Sequence, residues 1–287
     1  MSQAPASTST PRRSFRWFYS GIRVTLLTAL CCLLLLMIFE ERLIFFPSKY
    51  DGSPFWQLHG RVYQDVYFEA DDGTQLHGWY FAHEAPRAVV LFSHGNAGNI
   101  THRLEMANRL RGMGLSVFVF DYRGYGRSQG RPHEKGVLAD ARAARRALAR
   151  LSGVPESDIV QMGRSLGGAV AVDLAARDGA RGLVVESTFS SMPEVAAVHY
   201  PLLPVQRFMR TRLDSLSIIG AYRGPYLQSH GDSDTIVPFH LGKRLYDAVE
   251  TDNGFFRKFF VIPGGEHNDP QPDDYYRLLD AFIERLP

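Results

Sequence analysis

The sequence predicts an α/β protein with a mostly parallel, doubly wound sheet, a small helical cap and one N-terminal transmembrane helix. Residues 24–39 are almost continuously apolar, which is typical of a membrane span. From residue 62 onward, strand and helix patterns alternate, and repeated β-α units favour parallel strands with helices on both faces. Residues 187–224 are apolar, broken by prolines and too long for a simple loop, so we expect a cap there.

The N-terminal segment predicts a membrane anchor. Residues 1–20 are rich in Ser, Thr, Pro and Arg, and we expect a disordered cytoplasmic tail. Residues 21–39 form a span of 19 residues, about 28 Å as a helix. The charged residues that end this span offer no small residues for signal-peptide cleavage. Leu30 before Cys31 does not fit a lipoprotein signal, and an unbroken apolar run argues against a buried core helix. We predict an uncleaved signal anchor.

The distribution of charge predicts the orientation and excludes nucleic acid as a partner. Residues 1–49 hold six basic and two acidic side chains and the remainder 26 and 28, so the charges are +4 and −2. Four arginines before the apolar run that begins at residue 24 place the N-terminus in the cytoplasm and the body outside it. A slightly acidic body has no electrostatic surface for nucleic acid. Only four of the 32 basic residues are lysine, which favours a bacterial source and the inner membrane.

The body also lacks the residue patterns of metal and thiol chemistry. Both cysteines lie in the apolar span, so the body has no cysteine nucleophile, disulfide or cysteine–zinc site. The ten histidines include no H-x-H or H-E-x-x-H pair. We therefore expect neither a metal nor a cofactor.

The order of elements follows from periodicity and turn residues. We expect a linker over residues 40–60 and one domain over 61–287, which opens with a hairpin of residues 62–68 and 75–82 around an Asp-Asp-Gly turn. The further predicted strands are 88–93, 116–120, 159–162, 183–185, 226–229 and 259–262. The predicted helices are 101–112, 134–151, 166–178, 238–249 and 273–286.

The strongest catalytic motif is GRSLGG at residues 163–168, a G-x-S-x-G pattern centred on Ser165. It falls between a predicted buried strand and a helix, which is where a nucleophile elbow lies. The turn forces the serine into a strained backbone, and glycines two residues away on each side remove clashing side chains. Ser165 is therefore the predicted nucleophile.

A serine nucleophile needs a base and a carboxylate that orients it, in the chain order Ser, acid, His. His267 follows the last predicted strand and is the predicted base. Asp234 follows the preceding strand and is the preferred acid. Asp232 is a competitor that we expect to make hydrogen bonds within its own loop, and Glu186 is a third choice.

The oxyanion hole is predicted from the segment SHGNAGN at residues 93–99, which follows a buried strand. One backbone N–H would come from Leu166, directly after the serine, and the other from Asn96. We expect His94 to pack and hydrogen-bond within this loop. Tyr125, in the next loop, is a predicted wall of the pocket.

These motifs resemble the α/β-hydrolase family over about residues 60–286. The resemblance rests on residues 93–99, 121–128, 163–168, 230–238 and 265–268, in the family's order. Within the family, the body is similar to the membrane-anchored branch that includes the fungal and animal bud-emergence-type proteins. The resemblance implies Ser165 as nucleophile, Asp234 as acid and His267 as base, and it is not specific for a substrate.

The expected function is a serine hydrolase that cleaves ester or thioester bonds. The anchor and the apolar cap favour a lipid or acylated substrate. Two alternatives stay open, namely a serine peptidase of the same fold and a non-catalytic, membrane-tethered scaffold. A serine at the elbow argues against dehalogenases and epoxide hydrolases, which use a carboxylate nucleophile there.

Overall fold

A computed structural model describes residues 12–52, 56, 62–250 and 254–287. The strands are β1 (Phe46–Pro47), β2 (Gln64–Glu69), β3 (Gln75–Phe81), β4 (Ala88–Ser93), β5 (Ala97–Gly98), β6 (Leu115–Asp121), β7 (Ile159–Arg164), β8 (Gly182–Glu186), β9 (Tyr226–Gly231) and β10 (Arg257–Ile262). The α-helices are α1 (Arg12–Ile38), α2 (Glu40–Ile44), α3 (Leu104–Gly112), α4 (Glu134–Ser152), α5 (Leu166–Asp178), α6 (Met192–His199), α7 (Ser215–Ile218), α8 (Phe239–Asp247) and α9 (Asp273–Glu284).

Eight strands form the central sheet in the order β2-β3-β6-β4-β7-β8-β9-β10. Strand β3 runs antiparallel to both of its neighbours, and every other pair in the sheet is parallel. The predicted doubly wound, mostly parallel sheet is confirmed. Because parallel strands end at the same edge, the loops after β4, β7, β9 and β10 meet there.

Helices cover both faces of this sheet, which is why its central strands carry apolar side chains on both faces. Val89 and Leu91 of β4 face the core that α4 and α5 complete, whereas Val90 and Phe92 face the core that α3 and α9 complete. Every residue of β4, β6, β8 and β9 is buried. A sheet buried on both faces gives the loops at its edge a rigid support.

The N-terminal helix is longer than the predicted span. Its stretch Tyr19–Ile38 is long and apolar enough to cross a membrane by length and composition. The helix begins at Arg12, so residues 12–20 differ from the disordered tail that we predicted; residues 1–11 lie outside the described residues. Once the span nucleates a helix, each added residue gains a backbone hydrogen bond, which extends it N-terminally.

The predicted linker is also partly structured. Helix α2 follows α1 almost directly, and β1 pairs in parallel with β5. This short pairing joins the segment after α2 to the loop after β4. Residues 53–55 and 57–61 of the predicted linker lie outside the described residues.

The predicted cap, residues 187–224, divides into two parts. Its first part holds α6 and the 3₁₀ helix Val205–Arg207, and contributes to a cavity beside Ser165. Its second part holds α7 and a 3₁₀ helix, and buries Ile219 and Tyr222 in a core shared with α5 and α8. The first part alone therefore takes a cap's position.

Candidate active site

Ser165 occupies a sharp turn between β7 and α5. Its φ is 55° and its ψ is −121°, a strained conformation for a residue with a side chain. A Cβ at Gly163 would lie 2.0 Å from the Gly167 carbonyl oxygen, and a Cβ at Gly167 would lie 1.9 Å from the Ser93 carbonyl oxygen. Both glycines are therefore sterically required, and the turn carries the Ser165 side chain to the edge of the sheet.

His267 lies between Ser165 and Asp234. Its Nε2 is 3.0 Å from Ser165 Oγ, and its Nδ1 is 2.7 Å from Asp234 Oδ2. His267, Ser165 and Asp234 come from the loops after β10, β7 and β9, respectively. A carboxylate only accepts hydrogen bonds, so Nδ1 carries the proton toward Asp234 and Nε2 accepts from the serine hydroxyl. The structure thus brings the three predicted triad residues into one hydrogen-bonded chain.

The surroundings of Asp234 keep its carboxylate ionised. Its Oδ1 accepts hydrogen bonds from the backbone N–H groups of Ile236, at 2.9 Å, and Val237, at 2.8 Å. His230 Nε2 lies 3.3 Å from Oδ2 and 2.8 Å from the Val237 carbonyl oxygen. Burial, the largest single influence, favours the neutral acid, but the hydrogen bonds from His230 and His267 outweigh it and hold the pKa of Asp234 well below its ordinary value.

The other two acid candidates bind elsewhere. Asp232 Oδ1 accepts from the Gly264 backbone N–H at 2.7 Å, and so braces the loop that carries the histidine. Glu186 Oε1 accepts from the Tyr275 hydroxyl at 2.7 Å, and burial raises the pKa of Glu186. Of the three predicted candidates, Asp234 is the one hydrogen-bonded to His267.

The two predicted oxyanion-hole residues line the same cavity as Ser165. Leu166 is the first residue of α5, where a backbone N–H has no partner within the helix. Hydrogen bonds to two residues earlier in the chain hold Asn96. Its side-chain Nδ2 donates to the Ile44 carbonyl oxygen at 2.9 Å, and its backbone carbonyl accepts from Phe46 N–H at 2.9 Å. The segment from Ile44 to Phe46 therefore fixes this loop.

Tyr125 does not have the role that we predicted. It is fully buried and is not among the residues that line the cavity; its hydroxyl donates to the Asn96 carbonyl oxygen at 2.6 Å. The tyrosine is thus a support beneath the loop. His94 is buried as expected, with Nδ1 2.7 Å from the Gly95 carbonyl oxygen, and burial lowers the pKa of His94 to about 3.

Sequence reasoning missed three residues that shape the site. Arg164 Nη2 donates to the carbonyl oxygens of His267, at 2.6 Å, and Asp269, at 2.8 Å, so it fixes the histidine loop. The His230 ring hydrogen-bonds to the Asp234 carboxylate, and Glu40 lines the cavity. The nearness of Arg164 to Ser165 and the four-residue spacing of His230 and Asp234 were signals within the motifs. No motif marks Glu40.

The cavity beside Ser165 has a volume of about 520 Å³, within the range of about 300–1,000 Å³ that is usual for ligand sites. Its lining is mostly apolar and comes from the end of α1, α2, α6, the 3₁₀ helix after it, and the loop after Asp234. Among the described residues, no group of His, Cys, Asp and Glu is arranged to hold a metal ion. The arrangement suits attack by a serine on an apolar substrate.

Solved structures with a similar fold include two esterases. The Pyrococcus furiosus esterase Pf2001 superposes with a TM-score of 0.64 at 18% identity, over 85% of this chain and 98% of its own. Est1E of Butyrivibrio proteoclasticus, solved with ferulic acid, gives a TM-score of 0.61 at 21% identity, over 76% of this chain and 96% of its own. At these identities the similarity shows the fold.

Sequence relatives identify the family. A model of the serine aminopeptidase S33 family matches residues 84–218. An uncharacterized protein of Mycobacterium tuberculosis is 43% identical, over 85% of each chain. A membrane protein of Saccharomyces cerevisiae is 34% identical, over 78% of this chain and 80% of its own. The α/β-hydrolase domain-containing protein WAV2 of Arabidopsis thaliana is 33% identical, over 88% of this chain and 89% of its own. With this fold and these relatives, the chain belongs to the α/β-hydrolase family.

Proposed function

We propose that the protein is a serine hydrolase that cleaves carboxylic ester or thioester bonds through an acyl-enzyme. The observation that carries the proposal is the hydrogen-bonded chain from Ser165 Oγ through His267 to Asp234, which ends in an apolar cavity. A nucleophile within hydrogen-bond reach of a base, itself oriented by a carboxylate, is the arrangement that covalent acyl transfer needs.

The proposed reaction has two steps. Ser165 Oγ attacks the acyl carbon while His267 Nε2 takes the hydroxyl proton, and the tetrahedral intermediate then loses the alcohol or thiol, which receives that proton. Water attacks the acyl-enzyme with the same proton transfer, and releases the carboxylic acid and the serine. Asp234 holds Nδ1–H and stabilises the imidazolium in both steps.

We propose that the Asn96 and Leu166 backbone N–H groups bind the oxyanion. Both residues lie at the cavity that holds Ser165, and the N-terminus of α5 adds the positive end of a helix dipole. Each preorganised donor of this kind contributes about 10²–10³-fold to kcat in serine hydrolases.

The cavity lining supports ester cleavage over aminopeptidase activity. A peptide amino terminus requires a free carboxylate, and Glu40 is the one carboxylate among the described lining residues. Its oxygens accept hydrogen bonds from the backbone N–H groups of Arg210, at 3.0 and 3.1 Å, and Thr211, at 2.6 Å. Glu40 is therefore engaged within the protein, and the rest of the lining favours an acyl chain.

We further propose that α1 is a single-pass anchor, with the N-terminus in the cytoplasm and the hydrolase domain on the extracytoplasmic side of a bacterial inner membrane. The apolar stretch Tyr19–Ile38 and the yeast relative named a membrane protein support the anchor. The excess of arginines before the span supports the orientation. Membrane association that resists carbonate in the full chain, and is lost on deleting residues 1–42, is the expected result.

The test of the activity is hydrolysis of p-nitrophenyl butyrate by the detergent-solubilised full chain. We expect Ser165→Ala to lower kcat by on the order of 10⁶-fold and to abolish labelling by a fluorophosphonate. Ser157→Ala is the matched control, because Ser157 is exposed and its hydroxyl hydrogen-bonds to the neighbouring Asp158. No hydrolysis and no labelling of the folded wild type would instead favour the non-catalytic scaffold.

A further inference from the structure

The end of helix α1 forms one wall of the cavity beside Ser165. Leu33, Leu36 and Met37 line it, at the helical spacing that places side chains on one face. These three side chains are half-buried, whereas Leu34 and Leu35 between them are each 48% exposed. The wall is thus one face of a helix whose other faces are open and apolar.

The wall lies inside the stretch that is long and apolar enough to cross a membrane. That stretch ends at Ile38, and Leu33 is five residues before its end, about 8 Å along a helix. When α1 spans a bilayer, the wall lies at the depth of the hydrocarbon core near one interface. The cavity between α1 and the cap then opens toward the acyl chains of the lipids.

The cap segment that faces α1 exposes apolar side chains. Leu202 is 94% exposed, and Val198 and Phe208 are 43% and 44% exposed, close in sequence to residues that line the cavity. Single exposed apolar side chains are ordinary, but a group on one segment beside an apolar helix marks a surface that contacts a membrane or a partner. Continuity with α1 favours the membrane, with these side chains in the interface.

Hydrogen bonds fix the position of α1 relative to the cap. Glu40 begins α2, directly after the span, and is 5% exposed. Its carboxylate binds the backbone N–H groups of Arg210 and Thr211, and Arg210 Nη2 donates to the Met37 carbonyl oxygen at 3.1 Å. These hydrogen bonds therefore hold the end of α1 and the cap at a fixed separation.

We propose that this cavity binds the acyl chain of a long-chain ester dissolved in the bilayer, and that the chain enters between the end of α1 and the cap. This proposal rests on the proposed function, because it places the ester carbonyl at Ser165. The apolar walls of the cavity surround the chain. Because the wall formed by the end of α1 lies within the bilayer, the chain passes from lipid to Ser165 without crossing water. A route through water would instead expose every methylene of the chain, which is unfavourable.

The experiment compares Leu36→Trp with Leu35→Trp in the full chain, reconstituted in phosphatidylcholine nanodiscs. The measured quantity is the ratio of kcat/KM for p-nitrophenyl palmitate to kcat/KM for p-nitrophenyl acetate. An indole at the wall fills the cavity, so we expect Leu36→Trp to lower this ratio at least about tenfold. Leu35→Trp adds the same bulk on the exposed face and leaves the ratio unchanged.

Two results overturn the acyl-chain proposal while leaving the proposed function intact: an unchanged ratio in Leu36→Trp, or an equal fall in both variants. Labelling of Leu36→Trp by a small fluorophosphonate shows that the variant is folded, so that a fall in the ratio is not due to misfolding. No hydrolysis of either ester by the wild type would contradict the proposed function itself.

A second variant tests entry from the bilayer. Leu202→Glu places a charge on the exposed cap surface, and we expect it to slow hydrolysis of palmitate esters embedded in nanodiscs more than hydrolysis of soluble butyrate esters. Equal effects on both substrates would mean that the chain enters from water, and would overturn the bilayer route.

Discussion

The two sides of Ser165 are built in different ways. On one side, Asp234 and His267 lie on loops at the ends of neighbouring parallel strands, and hydrogen bonds hold both carboxylate oxygens of Asp234. On the other side, α1, α2 and the cap enclose an apolar space and meet through Glu40, 170 residues from Arg210. The polar side is suited to chemistry, and the apolar side to the choice of substrate.

After the loss of Ser165 itself, the largest expected effect distinguishes Asp234 from Asp232 on the polar side. Asp234→Asn removes the carboxylate that orients His267, and we expect kcat for p-nitrophenyl butyrate to fall about 10⁴-fold. Asp232→Asn is the matched control, because that side chain contacts the Gly264 N–H and not the histidine. A larger loss of kcat in Asp232→Asn than in Asp234→Asn would show that Asp234 is not the acid of the triad.

The pH dependence tests the same side. Because its pKa is held well below the ordinary value, Asp234 is ionised throughout the range in which activity is measured. It also stabilises the fold above the ordinary pKa of an aspartate, a contribution lost as pH falls through its own lower pKa. Protonation of Asp234 then adds nothing to the acid side of the activity profile, so the slope of log kcat/KM against pH should not exceed about one. A slope of two would mean that two groups titrate together.

The polar side could be predicted from sequence, because each of its residues lies within a few positions of a strand end. Ser165, Asp234 and His267 are fixed by strand order and by local glycines, so short motifs contain the required information. Arg164 and His230 were missed, although they lie inside those motifs. Arg164 donates to carbonyl oxygens of a different loop, which no local pattern shows, and the contact of His230 with Asp234 depends on how their own loop folds back.

The apolar side could not be predicted in the same way. The contact of Glu40 with the backbone of Arg210 and Thr211 depends on how two distant segments pack, and any acidic residue after a membrane span has the same appearance in sequence. The role of α1 as a cavity wall was hidden for a similar reason, since an apolar helix shows no pattern that distinguishes lipid-facing from protein-facing leucines. The predicted linker over residues 40–60 failed to anticipate β1 and its pairing with β5.

A third prediction tests how the apolar side is held together. Glu40→Ala leaves two backbone N–H groups of the cap without their acceptor, which costs about 2 kcal/mol. We expect trypsin to cleave after Arg207 or Arg212 about 30-fold faster, since each 1.4 kcal/mol changes an opening equilibrium tenfold. Glu41→Ala, the exposed neighbour, should leave the cleavage rate unchanged. Equal rates in the two variants would contradict a structural role for Glu40.

The smallest expected effect comes from a change at Asn96, which connects the polar side to the apolar side. Asn96→Ala removes the hydrogen bond to the Ile44 carbonyl oxygen and loosens the loop that supplies the proposed oxyanion donor. One lost hydrogen bond of about 1 kcal/mol corresponds to a fall in kcat of about fivefold, with little change in KM. A rise in KM at constant kcat would place Asn96 in substrate binding instead.

The most direct test of the central claim is to locate a covalent adduct. The full chain in phosphatidylcholine nanodiscs is treated with hexadecyl fluorophosphonate, digested, and mapped by mass spectrometry. We predict one adduct, on the peptide that contains Ser165, formed more slowly in Leu36→Trp than in Leu35→Trp. An adduct on another residue, or none on the folded protein, would contradict the assignment of Ser165 as a nucleophile that a membrane ester reaches through the cavity.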